Sequence, residues 1–210
     1  MSEVTGQMRV AMGLMLVLAA SQALLAQEWD EVSGPNLVRN PSFEEFENGR
    51  PVAWSVPAPV YSVVSTNPLD GEHCLQYVND DPQRYWLCSQ TIKLEPGAIY
   101  EMAVSVRTQG LVGEDTGATI CIEWADAGGR WLGGSYPSGL KGDVGNWTRI
   151  FGRTRPIPAE AASCTVKCYV RRGMTGTAWW DDVSVRRVRR RPLEAFLLSP
   201  RYRGWITDDG

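Results

Sequence analysis

The chain has one histidine, five cysteines and nine tryptophans in 210 residues. One histidine cannot supply a zinc site of three imidazoles, nor a metal site of two, and a Ser/His/Asp triad would have to run through His73. Glu101 and Glu123 sit on neighbouring segments and are the one evident pair of carboxylates for general acid–base work, although acids facing outward on strands are usually just solvated. Flat aromatic faces for stacking are plentiful: Tyr85 and Trp86 adjoin, and Trp131 and Tyr136 stand in the Gly-rich segment Arg130-Trp131-Leu132-Gly133-Gly134-Ser135-Tyr136. Cys74 and Cys88 are equidistant from residue 81 in the turn Asn79-Asp80-Asp81-Pro82. If that turn closes a hairpin, the two face each other and a cross-strand disulfide is expected. Cys164 and Cys168 share one side of one strand, too far apart along it to bond, and Cys121 points to the other side. Five is odd, so at least one thiol stays free or pairs between chains. No C-x-x-C spacing occurs, which argues against a metal–thiolate cluster.

The elements that must position these residues are written in period two. Tyr100, Met102, Val104 and Val106 alternate with Glu101, Ala103, Ser105 and Arg107; Ala118, Ile120, Ile122 and Trp124 with Thr119, Cys121 and Glu123. Cys164, Val166, Cys168 and Val170 alternate with Thr165, Lys167, Tyr169 and Arg171; Trp179, Asp181, Val183 and Val185 with Trp180, Asp182 and Ser184. Such alternation marks strands with one buried face. Turn-formers separate them, with Gly 21 and Pro 13 in the chain, and no sustained helical period occurs after the first residues. The pattern predicts an all-β, two-sheet antiparallel sandwich of roughly eight to ten strands.

Val10–Ala26 is an apolar run after Arg9 that is short for a spanning helix and ends in small residues. It reads as a secretory signal over 1–26, with an uncleaved anchor as the other reading, and gives a secreted, extracellular or periplasmic address. No membrane contact is expected beyond that segment. Residues 28–148 hold 17 acidic and 7 basic side chains, and residues 149–210 hold 13 basic and 6 acidic. The densest basic run, Arg186 to Arg191, ends at Pro192. In an exported protein this reads as a solvated strand end running into a linker, and no nucleic-acid partner is expected. Residues 27–35 read as an N-terminal linker. Residues 189–210 read as a basic linker and the opening of a following domain, with a tail packed on the sandwich as the other reading.

The ordered set Asn36-Leu37-Val38-Arg39-Asn40-Pro41-Ser42-Phe43-Glu44, Gly49-Arg50-Pro51-Val52-Ala53-Trp54, Gln90 to Tyr100, Asn146-Trp147-Thr148 and Gly176 to Val185 resembles a known family. It is similar to jelly-roll carbohydrate-binding modules of the family four, nine, sixteen and twenty-two kind, galactose-binding-like β-sandwiches usually appended to secreted glycoside hydrolases. The resemblance spans residues 36–188. It implies a non-catalytic module that binds a polysaccharide or oligosaccharide, as the N-terminal part of a larger modular protein. It also implies a structural calcium ion near the N-terminal strand, on positions that match Glu44 and Asp181. The parity of Asp181 with Val183 and Val185 agrees in part, since an inward carboxylate needs a partner, and capping of backbone N–H groups is the other solution. Glu45 and Asp182 are the nearest substitutes.

A sugar ring calls for a flat aromatic beneath it and polar groups around its rim. If the alternating strands share a sheet, as in the similar families, Arg107, Glu123, Tyr169 and Arg171 become the polar candidates. Trp86 with Tyr85, then Trp131 and Tyr136, become the stacking candidates. Trp54, Trp124, Trp147 and Trp179 are assigned to the core or its margin. Two other functions fit the same residues: a structural or protein-binding β-sandwich with no glycan ligand, and a glycosidase built on Glu101 and Glu123.

Overall fold

The computed structural model describes residues 28–192. The apolar run 10–26 and the segment 193–210 lie outside these residues, and with them the expected signal and following domain. Every regular element described is a β-strand: β1 (Glu28–Ser33), β2 (Phe46–Glu47), β3 (Arg50–Pro51), β4 (Tyr61–Val64), β5 (Cys74–Asn79), β6 (Cys88–Ile92), β7 (Ile99–Val112), β8 (Ala118–Ala125), β9 (Trp131–Ser135), β10 (Gly142–Arg153), β11 (Ser163–Val170) and β12 (Thr175–Pro192). The larger sheet runs β10-β7-β12-β5-β4, with β1 also paired to β12, and the smaller runs β6-β11-β8-β9. Neighbours along both paths are antiparallel. β2 and β3 form a separate short ladder. Residues 32–188 are one compact unit, while 28–31 and 189–192 are the described part of a second. Strand thus extends into both segments expected as linkers.

The period-two sets become the inner faces. Tyr100, Met102, Val104 and Val106 of β7, Ile120, Ile122 and Trp124 of β8, and Cys164, Val166, Cys168 and Val170 of β11 are all buried in one core. Trp180 is fully buried, and its indole N–H donates to the Thr119 carbonyl of the other sheet at 3.0 Å. Removing such a ring costs about 3–5 kcal/mol. The N-terminal motif closes the sandwich with amide side chains. Asn36 Oδ1 accepts from the amides of Val38 and Val185, and Asn36 Nδ2 donates to Val183. Asn40 Oδ1 accepts from Glu45 N, and Trp54 donates to the Asn40 carbonyl while stacking on Phe43 with ring centroids 5.0 Å apart.

Three expectations change. The alternating strands do not share a sheet: β7 and β12 lie in the larger one, β8 and β11 in the smaller. Their outward sets therefore face opposite ways. On β12 the parity slips, because the register shifts between Asp181 and Ser184 and Asp182 takes a φ of 50°. A bulge reverses which residues face the core. Ala178 and Trp180 point inward before it, and Val183 and Val185 after it. Trp179 and Asp181 thus lie on the outer side, opposite Arg107 and Ser105. The third change concerns Cys74 and Cys88. The turn at 79–82 does not close a hairpin, because the chain there passes from β5 in one sheet to β6 in the other. Cys74 alternates with the core residues Leu75 and Tyr77 and so faces outward, whereas Cys88 belongs to the core. Both are buried free thiols, as are Cys121, Cys164 and Cys168.

Candidate functional site

The outer face of the smaller sheet gathers most of the candidate residues. Its register sets Thr91, Thr165, Glu123 and Gly134 in one row, and Ser89, Lys167 and Cys121 in the next. Short side chains at the row ends leave Glu123 and Lys167 at the centre. Glu123 accepts from Lys167 Nζ through one carboxylate oxygen and from the Tyr136 hydroxyl through the other, the latter at 2.9 Å. Burial first, then this bond to a carboxylate, push the Tyr136 hydroxyl well above its ordinary value, so it remains the donor. Tyr136 reaches Glu123 only because residue 134 is glycine. A Cβ there would stand 2.5 Å from the tyrosine oxygen.

Arg171 links this centre to a second aromatic group. Its guanidinium lies 5.7 Å from the Tyr136 ring centroid and 5.4 Å from that of Tyr169, and its Nη2 donates to the Pro137 carbonyl at 3.2 Å. Tyr85 meets Tyr169 edge-on at 6.5 Å and is covered by Arg172 at 5.1 Å. Tyr169 is 2 % exposed and serves as the floor beneath Tyr85 and Arg171 rather than as an open platform. Its hydroxyl is turned to the Cys121 thiol.

On this face three aromatic rings among the described residues stay open. Trp131 is 62 % exposed at the start of β9, and its indole lies beside the Tyr136 hydroxyl. Tyr136 is 40 % exposed and Trp86 39 %. Trp86 walls a hollow of about 460 Å³ shared with Ser55, Ser89 and Lys167. One face therefore holds Tyr85, Trp86, Glu123, Trp131, Tyr136, Tyr169 and Arg171 together. Lys167 joins them although the sequence singled it out only as outward-facing. Its register one row from Glu123 is set by strand pairing, which no local pattern encodes.

Arg107 is not part of this face. It lies on the outer side of the larger sheet, stacked 4.1 Å from the Trp179 ring centroid and 5.2 Å from that of Trp147, and it donates to the Thr66 carbonyl at 2.8 Å. It pins Trp147 and the 66–67 loop there, helped by the Trp147 N–H on the Asn67 carbonyl. Glu101 is on the same outer side, near Arg153. The two sheets thus separate Glu101 from Glu123, and they do not form a catalytic pair.

Glu44 and Asp181 grip one loop from two sides. Asp181 Oδ2 accepts from the amides of Leu69 and Asp70 at 2.8 and 3.2 Å, and Oδ1 from the amide of Asp182 at 2.7 Å. Glu44 Oε1 accepts from the amides of Glu72 and His73 at 3.0 and 2.8 Å, and Oε2 lies 2.9 Å from His73 Nδ1. Burial raises the Asp181 carboxyl against the pull of these amides. In Glu44 burial is outweighed by His73 and the loop amides, and the carboxyl is lowered. The carboxylates of Glu44 and Asp181 are thus engaged by loop amides and, in Glu44, by His73, and no group of three or more potential metal-binding His, Cys, Asp or Glu side chains occurs among the described residues. Glu45 and Asp182 do not complete one. The Glu45 side chain is exposed, and the Asp182 carboxylate is paired with Arg149 at 2.7 Å.

No family model matches the chain, and no curated protein does. Solved structures do. The CBM22-1 xylan-binding domain of Paenibacillus barcinonensis Xyn10C superposes with a TM-score of 0.53 at 16 % identity, over 75 % of this chain and 97 % of that one. A second xylan-binding domain, from CBM 22, gives 0.52 at 14 % identity, over 74 % and 97 %. An arabinose-bound α-L-arabinofuranosidase, MgGH51, gives 0.53 at 17 % identity, over 72 % of this chain but only 26 % of its own. At these identities the likeness is one of fold.

Proposed function

Given its carbohydrate-binding-module jelly-roll fold, we propose that this chain is a secreted, non-catalytic glycan-binding module that tethers a larger protein to polysaccharide. The observation that carries the reading is the open outer face of the smaller sheet. There Trp86, Trp131 and Tyr136 offer rings to solvent around a fixed polar centre of Glu123, Lys167 and Arg171. Exposed rings match the C–H faces of a pyranose, and the charged centre offers hydrogen bonds to its hydroxyls. The Glu123 carboxylate is already occupied by Lys167 and Tyr136, which favours holding a sugar over cleaving one. The similarity of this fold to two xylan-binding domains supports the ligand class.

Electrophoresis in polysaccharide-containing native gels tests the reading. Wild-type protein is expected to be retarded by at least one polymer. The double variant Trp86→Ala, Trp131→Ala should lose that retardation while its melting temperature changes little. If the variant instead loses several kcal/mol of stability, as a truncated core aromatic would, the two rings are packing. A blank across polymers for folded wild type refutes glycan binding. Reducing sugar released by wild type but not by Glu123→Gln would overturn the non-catalytic assignment.

A further inference from the structure

A groove of about 690 Å³ runs between the edge strand of each sheet, β9 and β10. This lies within the ~300–1,000 Å³ of small-ligand clefts. Its lining includes Tyr136 from the face described above, together with Phe151, Arg149, Arg153 and Arg155, and it contains no acidic side chain. Phe151 is 67 % exposed, a ring held open to solvent on β10 between two arginines of the same strand face. Arg149 is consumed by Asp182 and Ser184, and Arg153 lies near Glu101. Arg155 has no ion pair among the described residues. Its Nη2 reaches the Gly134 carbonyl at 3.4 Å, and its guanidinium lies 5.9 Å from the Trp124 ring centroid. Gly133 keeps the β9 wall low enough for that approach, since a Cβ there would stand 3.2 Å from Arg155 Nη2.

An exposed ring and an arginine without a carboxylate partner, lining one groove, are complementary halves. The ring fits the C–H face of a sugar, and the planar guanidinium fork fits a carboxylate better than a neutral hydroxyl. We infer that the groove binds an acidic sugar unit, a uronate, of the same glycan whose neighbouring units lie on the Trp131–Tyr136 side. The ring stacks on Phe151 and the carboxylate faces Arg155. Tyr136 lines both surfaces, so one chain can pass from the sheet face into the groove. The inference rests on the glycan-binding reading and gives it a substrate class: acidic rather than neutral polysaccharide.

The test compares polygalacturonate, alginate and glucuronoxylan with their carboxyl-reduced counterparts by titration of the full chain. The expected result is binding about tenfold tighter for the acidic form of the preferred polymer at low salt, the size of one charge-assisted contact. The ratio should shrink as salt screens the charge. In Arg155→Gln it should fall to near one. Phe151→Ala should weaken the acidic form more than the reduced one. Trp131→Ala should weaken both alike and leave the ratio in place. Arg155 and Phe151 are exposed, so an unchanged melting temperature shows that loss of binding is not loss of fold. Equal binding of acidic and reduced forms by wild type overturns the inference and leaves glycan binding standing. So does an acidic preference that survives in Arg155→Gln. No binding to any of the six polymers removes glycan binding and the inference together.

Discussion

At the scale of single residues, the polar centre of the face depends on an atom that is missing. Gly134 leaves room for the Tyr136 ring to lie across β9 and donate a hydrogen bond to Glu123. Gly134→Ala would set a methyl group 2.5 Å from the tyrosine oxygen and 2.9 Å from the Ile122 carbonyl. The ring must move, at a cost of about 1–3 kcal/mol for the overpacking. The expected outcome is a lower melting temperature and several-fold weaker glycan binding. Tyr136→Phe keeps the ring and removes only the hydrogen bond, for about 1 kcal/mol. It should therefore bind nearly as well as wild type if Tyr136 acts by stacking. Comparing the two variants by thermal melting and titration separates the ring's position from its hydroxyl.

At the scale of elements, one bulge in β12 redirects two residues. It sends Trp179 outward to Arg107 and puts Asp181 under the 69–73 loop, where loop amides saturate its carboxylate. The loop's own N–H groups already engage both carboxylates. The melting temperature should therefore ignore both chelator and added calcium, whereas a ligand that bound the folded state would raise it. Glu44→Gln, which weakens the grip on Glu72 and His73, should melt lower than wild type with or without calcium. The crossing of the chain between β5 and β6 has its own consequence. Cys74 and Cys88 end in different sheets, and burial raises the thiols, Cys74 to about 11 and Cys121 to about 12. Thiolate is the reactive form. Native protein should resist alkylation at all five cysteines, and all five should react once it is unfolded in denaturant. A linked Cys74–Cys88 peptide in the mass spectrum would contradict the strand assignment.

At the scale of the whole molecule, the sandwich places its working surfaces on open faces and edges rather than in an enclosed cavity. The exposed rings of Trp86, Trp131 and Tyr136 leave much of a bound sugar in water. Its hydroxyls exchange water bonds for protein bonds at little net gain. Affinity should therefore be modest, with a dissociation constant on the order of micromolar to millimolar. Calorimetric titration checks this, and a nanomolar constant for a short oligosaccharide would demand an enclosed site that this surface does not offer.

The sequence by itself determined the all-β class, the inner faces of β7, β8 and β11, and the outward direction of Glu123, Tyr169 and Arg171. Period two is a local property, and the pleat turns it directly into two faces. The exposed aromatics of the Gly-rich segment were legible for a related reason: glycines on both sides of a ring deny it a packed surround. Tertiary structure alone decided which strands share a sheet, and so parted Arg107 and Glu101 from Glu123 and brought Lys167 to it. It also decided the β12 bulge, where a single positive φ at Asp182 inverts a parity that looked unbroken in the sequence. Phe151 and Arg155 reached a common groove in the same way. Each belongs to an ordinary strand or loop, and only the meeting of β9 and β10 at the edges of two different sheets sets them in one groove with Tyr136. Pairing between strands far apart in the chain is fixed by the packing of the whole core, which no short stretch of residues contains.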